Sequence, residues 1–173
     1  MADLLAGLGA PPRLAAHLRA VHDVAHQLVA WAADSCPGLV VDREAVLVGA
    51  ATHDMGKTLH IAELSGPGSA HEEAGRQLLL DGGFGADLAR FAGTHASWTS
   101  PTATIEDLLV STADKVGKNE RVPELEDLVI ARLAEAGGRE RWEEYMALDE
   151  VPALVGEGAA GRPSRRRFRC APE

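Results

Sequence analysis

Six side chains of metal-ligating type punctuate this chain: His17, the adjacent pair His53-Asp54, His71, His95 and Asp114. Imidazole nitrogens and carboxylate oxygens are donors that suit iron, manganese, zinc or nickel. One helix can offer only one or two inward atoms at a given depth. Donors scattered over several helices can therefore converge on a cation where a contiguous run could not. The centre of the pattern is Thr52-His53-Asp54-Met55-Gly56-Lys57. There, one helix end can present a nitrogen and an oxygen together.

The elements that must position these groups read as helices. Pro11-Pro12 can open a first helix, because a missing N–H costs little there. That helix is expected over 13–33, with Leu14, Leu18, Val21, Val24, Ala25 and Leu28 as its apolar stripe. At about 100° per residue, His17 falls roughly 30° from the stripe centre, His22 roughly 110° and His26 roughly 150°. His17 is thus the inward candidate, and His22 at the stripe's edge is within reach of a substrate. Asp42 can cap a second helix, over 43–55, whose run Ala45–Ala51 is apolar all round and belongs in the middle of the fold. Gly56 is expected to end it in a left-handed conformation. Asp54, on its last turn, then needs a metal or cation as partner, since a buried unpaired carboxylate is costly.

Ser69 and Glu72 read as a capping box for a third helix, ended by Gly82-Gly83. His71 shares a face there with Ala74, Gly75, Leu78 and Leu79. A fourth helix covers 85–94, and His95 continues the spacing of Leu88, Phe91 and Ala92. A fifth follows Thr104 and reaches residue 116. Asp114 lies off its strongest stripe, so it points inward only if that helix is covered on two sides; otherwise it is a surface residue. Segments 123–136 and 139–148 complete the count. No strand is convincing, and the expected fold is an all-α, single-domain bundle of six to seven helices.

Composition agrees. The chain has 173 residues, 46% hydrophobic but only 4% aromatic, which is long enough for one core and biased by Ala and Leu towards helix. No window is apolar enough for a membrane span, and no basic patch precedes an apolar stretch at the start. Cys36 and Cys170 lack CxxC spacing, which suits reduced thiols and a cytoplasmic protein and leaves a Cys36–Cys170 disulfide as the alternative. Of 17 basic and 26 acidic residues, five arginines and one glutamate follow Gly161. The rest carries 12 basic and 25 acidic groups, net −13, which should repel nucleic acid. Residues 1–155 read as the helical domain and 156–173 as a Gly/Arg-rich tail, either solvated or in contact with an anion.

Three separate helices thus place a histidine on an apolar face beside a buried His-Asp pair. Burying that many polar rings without a shared purpose would be expensive. The ordered set resembles the HD-domain superfamily of metal-dependent phosphohydrolases, over residues 14–118. His17-x-x-x-Val21-x-x-x-Ala25-x-x-Leu28 is similar to that family's first helix. His53-Asp54-Met55-Gly56-Lys57 resembles its naming motif, and Ala113-Asp114-Lys115 its last ligand segment. His71 and His95 resemble the extra ligands of the two-metal subset. Segment 56–80 is similar to the cyclic-dinucleotide phosphodiesterases, but Thr94-His95-Ala96-Ser97-Trp98 has neither their paired histidines nor a Gly-Tyr-Pro. The overall spacing and short length resemble the HD-type diadenosine tetraphosphate hydrolases. The Glu-Asp pair of the alarmone hydrolases has no counterpart.

The resemblance implies two divalent transition metal ions. His17, His53, Asp54 and Asp114 would hold the first; Asp54 would bridge to a second, held also by His71 and His95. It implies hydrolysis of a phosphoester or phosphoanhydride in a small nucleotide-like substrate, by a water that the ions activate. Asp54 and Lys57 are then the candidate catalytic residues, with Lys57 and Lys115 the candidate phosphate contacts. Lys57 reads equally as a lysine favoured by a helix C-terminus. His60 and Arg90 carry the same double reading, and Trp98 is either core or a stacking surface for a base. Two other readings share these ligands: an HD-type di-iron oxygenase, and a non-catalytic domain stabilised by its metals.

Overall fold

Pro11-Pro12 and the apolar stripe behind them produce the longest element, helix α1 (Pro12–Ser35). In the computed structural model, which describes Gly7 and residues 9–151, α1 is followed by α2 (Arg43–Thr52), α3 (Ala70–Asp81), α4 (Ala86–Ala89), α5 (Phe91–Thr94), α6 (Ile105–Gly117), α7 (Pro123–Gly137) and α8 (Arg141–Leu148). Two 3-10 turns, Met55–Thr58 and Ile61–Leu64, lie between α2 and α3. Arg90 keeps helical dihedrals between α4 and α5, so the two read as one broken helix. The described residues thus form an all-α, single-domain bundle of seven helices, without a strand. The Arg-rich tail and Cys170 lie outside the described residues; Cys36 is buried.

Two helices are capped by side chains at their starts, the first as the sequence suggests. Asp42 accepts a 2.9 Å bond from the Ala45 N–H. Thr104 and Asp107 form a reciprocal capping box at the start of α6. The expected box at α3 does not form: the Ser69 side chain makes no cap bond. Instead, Glu63, reaching over from the second 3-10 turn, accepts from the Ala70 and His71 N–H groups at 3.2 and 3.1 Å. A tertiary carboxylate has replaced the local one.

Gly56 also departs from expectation. Its φ is not positive, because α2 ends at Thr52 and residue 56 already belongs to a 3-10 turn. The glycine is needed for closeness instead. A Cβ there would lie 1.9 Å from the His71 carbonyl oxygen and 2.6 Å from the Gly75 nitrogen. Only a bare backbone lets the His-Asp segment press against α3.

Helices α1, α2 and α6 pack on one another, and α7 and α8 cover them. Val21, Leu28, Val46, Phe91, Leu109, Ile130 and Leu133 are among the buried residues of this main core. A smaller core joins Leu14, Leu18, Met55, Leu79, Ala89 and Ala92. His53 and Asp54 sit in sequence between Ala50 of the first core and Met55 of the second. The polar centre is thus walled by apolar packing on two sides. No helix among the described residues is long and apolar enough to cross a membrane.

A candidate dinuclear metal centre

All six predicted ligands come together. Each half of the cluster is supplied by different elements. α1 brings His17, the end of α2 brings His53 and Asp54, and α6 brings Asp114; one donor atom from each lies within 4.8 Å of the others. Asp54, His71 from α3 and His95 from the end of α5 make a second such group. Asp114 is buried because α6 is covered on two sides: every residue from Asp107 to Asp114 is buried.

Asp54 faces both groups with different oxygens. Its Oδ2 lies 3.4 Å from His17 Nε2 and 3.6 Å from His53 Nε2. Its Oδ1 lies 3.2 Å from His71 Nε2 and 3.6 Å from His95 Nε2. Asp114 Oδ1 closes the first group, 3.3 Å from His17 Nε2 and 3.2 Å from His53 Nε2.

Outer contacts aim three of the rings. His53 Nδ1 meets the Ala50 carbonyl at 2.9 Å. His95 Nδ1 meets the Phe91 and Ala92 carbonyls at 3.2 and 3.1 Å. His71 Nδ1 meets Glu63 Oε2 at 2.5 Å. A carbonyl or carboxylate at Nδ1 takes the proton there, leaving the Nε2 lone pair free to ligate. The inward atoms remain underused. Among the described residues six buried side-chain polar atoms lack a hydrogen-bond partner, and three of them are His17 Nε2, His71 Nε2 and Asp54 Oδ1. Orphaned donors converging on one point fit cations as the missing partner.

Electrostatics point the same way. Burial opposes ionisation of Asp54, but the facing rings of His17 and His71, the charge of His53 and the hydrogen bond from Lys57 outweigh it and hold the carboxyl well below its usual range. Asp114 is depressed likewise, with His17, His53 and Lys118 overcoming burial. Both are therefore anionic at neutral pH. Burial pushes His95 down to about 4, helped by His53, so that ring is neutral and ready to ligate. His17 is raised, since Asp114 and Asp54 outweigh its burial. His71 is raised by Asp54 first, against burial, with Glu63 adding.

Two lysines grip the ligand carboxylates. Lys57 Nζ lies 2.6 Å from Asp54 Oδ2, and Lys118 Nζ 2.6 Å from Asp114 Oδ2. Two cavities open beside the centre. One, of about 250 Å³, includes His71, His95, Asp114, Lys115 and Trp98 in its lining; the other, of about 380 Å³, includes Arg13, His17 and Asp54; Lys57 and Lys118 line both. Trp98 packs against the main core, as the first of its readings has it, and also borders a cavity. Lys115 lines the same cavity, with its Nζ 3.7 Å from Glu120.

Other histidines and cations stand apart. His22 pairs with Asp23 at 3.6 Å and the exposed His26 with Arg43 at 2.6 Å, neither in the cluster. Arg90 binds Asp107 and lies over the Phe91 ring; His60 only precedes the second 3-10 turn. Sequence reasoning missed Glu63 and Lys118. Lys118 had a usable signal, being one helical turn beyond Asp114. Glu63 had none, because its partner lies across a loop.

No family model, curated protein or solved structure matches this chain.

Proposed function

We propose that this chain is a metal-dependent phosphohydrolase of the HD type, cleaving a phosphoester or phosphoanhydride in a small nucleotide-like molecule. One observation carries the reading: a single buried carboxylate, Asp54, turns one oxygen to each of two donor groups. That is the arrangement a bridged pair of cations requires. His17, His53, Asp54 and Asp114 would hold one ion, and Asp54, His71 and His95 the other.

The ions would supply Lewis-acid charge at a phosphate and lower the pKa of a water. The chain supplies the rest. Among the described residues, neither cavity lining contains a serine, threonine or cysteine, which supports water as the attacking group. Lys57 and Lys118 line both cavities, and Arg13 and Lys115 one each. They present positive charge in a body with a large acidic excess. Such local focusing favours a compact anion over a polynucleotide. The lysines also hold their protons on Nζ against the ligand carboxylates, ready to be shared with phosphate oxygens. The apolar walls keep the centre in a low-dielectric setting, where each of these charges counts for more.

The test is phosphate release from a panel of nucleotides and phosphoesters by protein loaded with manganese or iron. Turnover is expected in the wild type and a fall on the order of 10³-fold in Asp54→Asn, with the helical circular dichroism retained. A loaded wild type that releases no phosphate from any panel member contradicts the proposal.

A further inference from the structure

The geometry points to Glu63 as the residue that readies the second half of the centre to bind an ion, by fixing the tautomer and direction of His71. This inference rests on the two-ion reading above. Glu63 stands on the 3-10 turn Ile61–Leu64, eight residues before its target. Its Oε2 receives both the backbone N–H and the Nδ1 of His71, at 3.1 and 2.5 Å, while Oε1 receives the Ala70 N–H at 3.2 Å. One carboxylate therefore holds the start of α3 and the ring that α3 carries. With a carboxylate at Nδ1, that nitrogen must be the protonated one. In the neutral ring Nε2 then carries the lone pair, 3.2 Å from Asp54 Oδ1 and without a hydrogen-bond partner.

The loop is shaped to keep Glu63 in place. Gly68 has φ +149, and a Cβ on it would lie 2.4 Å from Glu63 Oε1. His71 depends on this contact more than its neighbours do on theirs. His53 and His95 are aimed by carbonyls three or four residues back on their own helical segments. Those contacts come with the helix itself. Of these three rings, His71 is the one whose Nδ1 is held by a side chain from another element. Glu63 does not belong to either donor group, so it acts through His71 as a positioning residue.

Glu63→Gln separates the roles. An amide oxygen at the Oε2 position can still accept from both His71 donors, but without charge, and the amide nitrogen then faces the Ala70 N–H. Glu63→Ala removes the contact outright. The measurement is manganese binding by isothermal titration, with metal per chain counted after dialysis. In the wild type two ions bind. In Glu63→Ala the weaker Kd rises about 10–100-fold while the tighter one changes less than about threefold. Glu63→Gln falls between them. Ser69→Ala, which removes no cap bond, leaves both ions unchanged. A purely structural role predicts a lower melting temperature with both affinities intact, or both lost together; either result overturns the assignment. A wild type that binds one ion overturns the two-ion reading itself, and this inference with it. Absence of phosphohydrolase turnover in the same samples leaves this outcome unchanged, because the readout is binding.

Discussion

The two halves of the centre are built by different means. His17 and Asp114 ride on helices of 24 and 13 residues, and His53 caps one of 10; the three helices pack on one another in the main core. Their positions follow mainly from apolar packing, and the tight glycines of this half, Gly49 and Gly117, meet the Phe91 and Val21 side chains rather than backbone. His71 and His95 stand at the start of α3 and just past the one-turn helix α5. Their positions depend on glycine contacts and on a carboxylate from a turn. Gly56 and Gly75 bring backbone against backbone there: a Cβ on Gly75 would lie 3.0 Å from the Gly56 nitrogen. One half is held by burial, which is diffuse and tolerant. The other is held by a few close approaches, which fail one at a time.

The sharpest way to break the second half alone is Gly56→Ala. The new methyl meets the His71 carbonyl and the Gly75 nitrogen, and backbone cannot rotate away as a side chain can. A loss of about 3 kcal/mol is expected, a melting temperature lower by roughly 6–12 °C. Gly93→Ala is the matched control in α5. Nothing lies within 4 Å of its added Cβ, and it should be neutral or raise stability by up to about 1 kcal/mol. Equal losses in thermal melts of the two variants would show that the close approach at Gly56 does not hold the second half.

A smaller effect comes from pH, read on the metal-free protein. His95 is held near 4 when folded and titrates at its ordinary 6.5 when unfolded. Between those values the unfolded chain binds more protons, so stability rises with pH. His17 and His71 are raised when folded. Their contribution is complete below the ordinary imidazole value and is lost as pH climbs through the raised ones. Asp54 and Asp114, depressed when folded, add stability above the ordinary carboxylate value that is lost only as pH falls through their folded ones. Metal-free stability should therefore peak near pH 6.5, falling by on the order of 1–2 kcal/mol towards pH 5 and falling also on the alkaline side. Metal-loaded protein should keep gaining stability above that pH, since each ion must displace the protons on His17 and His71. Denaturant melts from pH 5 to 8.5, with and without manganese, would show this; parallel curves would contradict it.

The same contrast explains what could be read from the sequence. Periodic features survived: the stripe of α1 placed His17 inward, and the all-apolar Ala45–Ala51 run placed α2 at the centre. Asp114 was ambiguous because its helix carries a second covered face with a polar residue on it, Ser111, whose hydroxyl is bonded to its own backbone. What failed were local rules overridden by tertiary contacts. Ser69 has the right type for a cap, but Glu63 reaches the same N–H groups from outside. Gly56 has the right type for a left-handed end, but it is a glycine because α3 leaves no room for a Cβ. Both errors fall in the half built from close approaches, where spacing along one element says little about what another brings.

The central claim is that one buried carboxylate joins two cation sites. Electron paramagnetic resonance of the manganese-loaded protein, with metal content measured on the same sample, tests it most directly. Two ions per chain with an exchange-coupled signal are predicted, reduced in Asp54→Asn to at most one ion with the uncoupled six-line spectrum. Two uncoupled ions in the wild type, or a coupled pair that survives Asp54→Asn, would contradict it.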